Sequence, residues 1–228
     1  MKRRYHILLF ISALLILFLS SCAKENAERE HIFNGEGDTA EFLAILTIKK
    51  TPTDTVYFQL DDSTTIYAAN YQGYYTRMEK VFCDISVTNI PKGSFKYIGY
   101  INWLEPVDMG QVLSYASVDD DLGLDIIDDW MTGAEDGYLT IHYNTWWGTS
   151  AVQHKMYVIT GSNPGDPYEL VLRQDACGDK KEEMGEALIC FDINSLPDTG
   201  DEYKELTLKW TSSGGTAAEK KFKFKTRK

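Results

Sequence analysis

From Thr39 to Leu104 the chain alternates apolar and polar residues in short runs, and it nowhere shows the spacing of an amphipathic helix. Phe42, Ala44, Leu46 and Ile48 alternate with Leu43, Ile45 and Thr47, and Val81, Cys83, Ile85 and Val87 share one face of a later run. Side chains of a strand point to opposite faces in turn, so a period of two predicts β-structure. Thr55–Leu60 and Thr65–Ala69 flank Asp61-Asp62-Ser63-Thr64, which has turn composition. Phe95–Leu104 is long, aromatic and interrupted by Gly99. A glycine there suits the sharp coiling of a small closed sheet.

Four or five strands with no helix between them predict a small OB-type barrel over residues 39–108. Pro106 to Asp129 departs from this pattern and is acidic, with Asp119, Asp120, Asp121, Asp125, Asp128 and Asp129. It reads as a solvated junction at the start of a second domain, residues 109–228. Beyond it, Tyr138–Asn144 and Val152–Thr160 read as a hairpin turning at Trp146-Trp147-Gly148, and Tyr168–Gln174 as the partner of Glu186–Ile193. The last hairpin is the most regular: Leu206, Leu208 and Trp210 share a face, Gly214-Gly215 turns the chain, and Phe222 and Phe224 return. At least six strands at regular spacing predict an Ig-like antiparallel β-sandwich, and the whole chain is expected to be all-β.

The first 22 residues place the fold. Lys2, Arg3 and Arg4 precede an apolar run from Ile7 to Leu19, which closes on Leu19-Ser20-Ser21-Cys22. The run is short for a membrane span, and the layout is that of a secretory signal peptide, residues 1–21. Leu-Ser-Ser-Cys resembles a bacterial lipobox, in which the cysteine is acylated and the chain is cut before it. Cys22 is therefore the expected lipid anchor. Residues 22–38 are charged and read as a flexible tether. Lys24-Glu25 resembles the signal that sends lipoproteins of some Gram-negative anaerobes to the outer face. The expected location is the outer membrane of a Gram-negative bacterium, with the periplasmic and outer faces as alternatives.

The 34 acids face 23 bases, and three of those bases leave with the leader. So acidic a surface repels phosphate backbones, which excludes nucleic acid as a partner. Cys83 reads as a buried free thiol, and Cys177 and Cys190 as unpaired.

Tyr57–Tyr71, Asp128–Tyr143 and Ala187–Leu196 resemble the NigD-like lipoprotein family. The resemblance implies an N-terminal OB domain, a C-terminal β-sandwich and a lipid anchor. The family takes its name from association with a bacteriocin locus, which implies a part in immunity or export and supplies no site residue.

Chemistry is sparse. His142 and His154 fall at mirrored positions about Gly148 and would sit side by side in a hairpin, yet zinc needs more ligands than the sequence places there. Asp119–Asp129 lacks the spacing of a calcium loop. No nucleophile elbow or phosphate loop appears, so no catalytic residue, cofactor or metal is expected. What remains is aromatic: Tyr71, Tyr74 and Tyr75 in a barrel loop, and Trp146 with Trp147 at a hairpin tip, as candidate ligand contacts. The expectation is a non-enzymatic module that binds a protein or peptide partner, with a surface glycan as the alternative.

Overall fold

A computed structural model describes residues 39–71, 73, 80–88, 96–114, 121–148 and 152–227. The leader, Cys22, the tether, Tyr74, Tyr75, Asp119 and Asp120 lie outside the described residues. The described residues are all-β.

Five strands, β1 (Thr39–Lys50), β2 (Val56–Gln59), β3 (Thr65–Ala68), β4 (Lys80–Thr88) and β5 (Lys96–Pro106), close into a barrel in the order β1-β2-β3-β5-β4. Their alternation is the cause: Leu46, Phe58, Ile66, Val81, Cys83 and Ile85 all point inward and are fully buried. Burial pushes the Cys83 thiol up to about 12. Gly99 has the role its position foretells. A Cβ there would meet Ile66 at 2.8 Å and Ile85 at 3.0 Å, so only glycine lets β5 coil this tightly against β3 and β4. A register shift between Asp84 and Ile85 adds an irregularity to the β4–β5 pair.

The sandwich begins at once after the barrel. β6 (Asp108–Met109) joins one sheet and β7 (Gln111–Leu113) the other. The remaining strands are β8 (Asp125–Ile126), β9 (Gly133–Glu135), β10 (Tyr138–Trp147), β11 (Lys155–Ile159), β12 (Glu169–Asp175), β13 (Glu183–Asp192), β14 (Lys204–Thr211) and β15 (Ala217–Phe224). One sheet runs β6-β13-β10-β8 with β9 also on β10, and the other runs β15-β14-β12-β11-β7. Leu139, Phe191, Leu170, Leu172, Leu208 and Phe224 interleave between them as the core.

Two expected hairpins are overturned. β10 pairs with β13 over ten residues, not with β11, and β12 pairs with β11 and β14, not with β13. The connections from β10 to β11 and from β12 to β13 therefore cross from sheet to sheet. The sandwich is also not purely antiparallel, since β6–β13, β7–β11 and β12–β14 are parallel. The β14–β15 hairpin holds in full, with Leu206 opposite Phe222 and Trp210 opposite Ala218.

From Asp121 onward the acidic stretch is part of the sandwich rather than a solvated junction. Leu122 and Leu124 are buried in the sandwich, and the carboxylates between Asp121 and Asp129 are individually engaged. Asp121 pairs with Arg173, Asp125 accepts from Ser213, Asp128 pairs with Lys220, and Asp129 meets His142.

A two-residue turn joins barrel to sandwich. Asp136 (φ 53°) and Gly137 (φ 73°) connect β9 to β10, the left-handed pair that a tight hairpin demands. The turn docks on the barrel: Asp62 Oδ1 accepts from the Asp136 amide at 2.7 Å, and Lys49 Nζ reaches Asp136 Oδ1 at 2.5 Å. Tyr138 carries the Lys80 ammonium 5.0 Å and the Arg227 guanidinium 4.1 Å from its ring centroid. Val107, Tyr138 and Cys190 pack with Ile45 and Phe82 across the same junction.

Asp62 Oδ2 accepts from the Tyr203 hydroxyl at 2.6 Å, and that bond, with burial and the charges of Asp62, Asp61 and Glu135, pushes the phenol up to about 12. The bond needs the neutral phenol. Its stabilisation is present below the ordinary tyrosine pKa, about 10, and is lost as pH rises through the raised value. In a difference titration of tyrosinate absorbance, Asp62→Ala should bring one phenol back toward its ordinary range. Superimposable titrations of parent and variant would show that the bond does not form.

Candidate functional site

Of the sequence-selected aromatics, Tyr71, Trp146 and Trp147 are half-buried, and Tyr74 and Tyr75 lie outside the described residues. Tyr71 packs on the barrel core with its ring edge-on to Phe58 at 5.0 Å. Trp147 stacks on His154 at 4.5 Å and donates its indole N–H to the Gly185 carbonyl at 3.0 Å, closing the far end of the sandwich core. Trp146 lies opposite Met184 and is likewise half-buried. Trp146 and Trp147 lie within the β10–β13 pairing rather than at the tip of a β10–β11 hairpin.

The two histidines do not meet. His154 lies in the β10–β11 crossing and closes a buried chain. Thr145 Oγ1 donates to Gln174 Oε1 at 3.0 Å, Gln174 Nε2 donates to His154 Nδ1 at 2.6 Å, and His154 Nε2 donates to Asp179 Oδ2 at 3.0 Å. Both ring nitrogens are thereby committed, and the Asp–His pair has no open side on which to act as a base. His142, on the outer face of β10, meets Asp129 at 2.8 Å and Glu186 at 3.4 Å. Among the described residues no three or more His, Cys, Asp or Glu gather as metal ligands. Cys177 is an exposed free thiol, and Cys83 and Cys190 are buried free thiols.

A different surface stands out. Inward residues of β1, β4 and β5 fill the barrel, so alternate residues must face outward, and here many of them are large and apolar. Leu43, Ile98, Tyr100 and Trp103 are exposed by 48, 59, 55 and 41% of their areas. Strand register sets them in rows: Glu41–Ser86–Tyr100, then Leu43–Asp84–Trp103, then Ile45–Phe82–Glu105. The Phe82 ring stands 5.4 Å from Trp103 and 6.1 Å from Trp130, which the sandwich contributes from the loop after β8 and which is 55% exposed. The docked Asp136 turn and the Val107–Tyr138 contact hold the two domains so that this face runs from one onto the other. Between the rings, the Asn102 amide donates to Asp84 Oδ1 at 3.2 Å and to Ser86 Oγ at 3.1 Å.

Neither Tyr100, Trp103 nor Trp130 was singled out from sequence. Phe95–Leu104 did carry the signal: apolar residues at both odd and even positions mean that one side of the strand is covered or used. Trp130, alone in an acidic stretch, carried none.

Residues 106–224 match a family model described as the NigD-like C-terminal beta sandwich domain. Among solved structures, a candidate toxin-related protein from Parabacteroides distasonis superposes with a TM-score of 0.62 at 24% identity, covering 81% of this chain and 93% of that one. A NigD-like immunity protein from Bacteroides caccae gives 0.54 at 15%, covering 78% and 91%. A candidate lipoprotein from Bacteroides fragilis gives 0.54 at 9%, covering 81% and 97%. No curated protein matches the chain.

Proposed function

The chain belongs to the NigD-like family, and from that premise we propose that it is a lipid-anchored outer-membrane protein that binds a protein or peptide partner without catalysis. The NigD-like immunity protein from Bacteroides caccae supports an immunity setting, and bacteriocin-related immunity is the form proposed for this chain. One observation carries the reading: the aromatic face of β1, β4 and β5 with Trp130. Large apolar side chains left in water cost about 25 cal/mol per Å² relative to burial, and a cluster of them marks a surface that is covered in use. Buried His154 and its Asp179 partner, by contrast, are consumed in holding the fold together.

The test is capture by the immobilised mature protein from envelope extracts, parent against a Tyr100→Ser, Trp103→Ser, Trp130→Ser variant shown by circular dichroism to be folded. Loss of a saturable partner in the variant is the expected result, and equal capture by both would place binding elsewhere. For the anchor, Cys22→Ser should abolish incorporation of labelled palmitate and release the protein from membranes; retention of label would refute the lipobox.

A glycan is favoured as the second reading by the Asn102–Asp84–Ser86 group lying between aromatic rings, since sugars are held by ring stacking combined with amide and carboxylate hydrogen bonds. Half-buried Tyr71, Trp146 and Trp147, with Tyr74 and Tyr75, are its further candidate contacts. Retardation of the parent in a polysaccharide gel, lost with these rings, would support it. No retardation of the parent removes it.

A further inference from the structure

We infer that the aromatic face takes a cationic, amphipathic peptide segment, an inference that rests on the binding reading above and names its partner's chemistry. The same rows that present Leu43, Tyr100 and Trp103 present Glu41, Asp84 and Glu105, one carboxylate in each row. None of the three has an ion-pair partner among the described residues; Asp84 accepts only the neutral Asn102 amide in the bonds this face makes. The one basic residue on the outward positions of β5, Lys96, stands at the strand's far end, beyond Ile98.

Covering this face with an uncharged ligand would strip water from three carboxylates and give nothing back, which is costly for any buried ion. Lysine or arginine side chains remove that cost. They neutralise Glu41, Asp84 and Glu105, and in the same position lie over the rings of Tyr100, Trp103 and Trp130, where the ring faces attract cations. Leu43 and Ile98 then receive the apolar side chains of the same segment. The excess of acids over the whole mature chain raises the encounter rate of such a segment without fixing where it lands.

The experiment must separate this face from bulk charge. The probe is a synthetic lysine–leucine amphipathic peptide, with a glutamate–leucine and a lysine–serine counterpart as controls, titrated calorimetrically into the mature protein. Two variants have equal net charge: Glu41→Gln, Asp84→Asn, Glu105→Gln on the face, and Glu182→Gln, Glu183→Gln, Glu202→Gln on the exposed sandwich surface. The expected result is that the lysine–leucine peptide binds the parent at least about tenfold more tightly than either counterpart. The face variant should lose that margin while the sandwich variant stays within about twofold of the parent. Equal weakening of both variants overturns the inference, as does binding by the lysine–serine peptide as tight as by lysine–leucine. Partner capture lost with the three rings but unaffected by the three face neutralisations would sink the cationic chemistry alone. Capture indifferent to the rings would sink the binding reading beneath it. A polysaccharide retained by the face variant as by the parent counts for the glycan and against this inference.

Discussion

Asp179→Ala should lower the unfolding free energy by about 2–6 kcal/mol, from two buried donors left without an acceptor at about 1–3 kcal/mol each. The carboxylate is 3% exposed and accepts from His154 Nε2, from the Gly148 amide at 2.8 Å and from the Lys180 amide at 2.9 Å. It thereby ties the β12–β13 crossing to the β10–β11 crossing at the end of the sandwich remote from the barrel. Gly148 allows this, because a Cβ there would lie 2.1 Å from Asp179 Oδ1. Without the carboxylate, an imidazole N–H and a backbone amide are left buried with no acceptor, and the Trp147–His154 stack loses its backing. Urea unfolding gives the magnitude, and near-ultraviolet circular dichroism reports the tryptophan. A cost no greater than that of Glu183→Ala, an exposed acid nearby, would show that the network holds nothing.

Phe191→Ala should cost a similar amount, about 3–5 kcal/mol, by a different route. The ring is fully buried between the two sheets and lies opposite Leu139 in the β10–β13 register. Its edge rests on the backbone of Gly110, where a Cβ would come within 2.1 Å of Cε1. Truncation leaves a cavity that two paired sheets cannot collapse into. The contact is testable from its other side as well: Gly110→Ala overpacks the site and should cost about 1–3 kcal/mol. In urea both should lower the midpoint at unchanged slope. A Phe191→Leu, Gly110→Ala double variant should recover part of the summed loss, because the two changes share one space. Strict additivity would mean that the ring does not sit where Gly110 leaves room.

The barrel was legible in the sequence because β1 and β4 alternate cleanly and the β2–β3 turn is short and local; Asp61 folds that turn by accepting from the Ser63 and Thr64 amides. The sandwich was legible as strands but not as pairings. Neighbouring strands with a few polar residues between them look alike whether the chain folds back within a sheet or crosses to the other. The difference lies in long-range partners such as His154 with Asp179 and Gln174, which no local pattern displays. Asp136-Gly137 was readable in principle as an Asp-Gly turn, and it proves to be the docking point of the two domains. Asp62 reads as a turn residue and nothing more, since its use across the domain junction is set by tertiary packing. The aromatic face lay hidden in a strand that already served as evidence for the barrel, because its outward residues matter only once the inward ones have been accounted for.

The most direct test replaces Tyr100 with a photo-crosslinking amino acid in the full-length protein in intact cells, with the same replacement at Lys181, just before β13, as reference. A partner seated on the face predicts a discrete adduct from position 100 that disappears when Trp103 and Trp130 are changed to serine, and none from position 181. No adduct from position 100, or the same adduct from both positions, would contradict the assignment of the aromatic face as the surface on which this protein works.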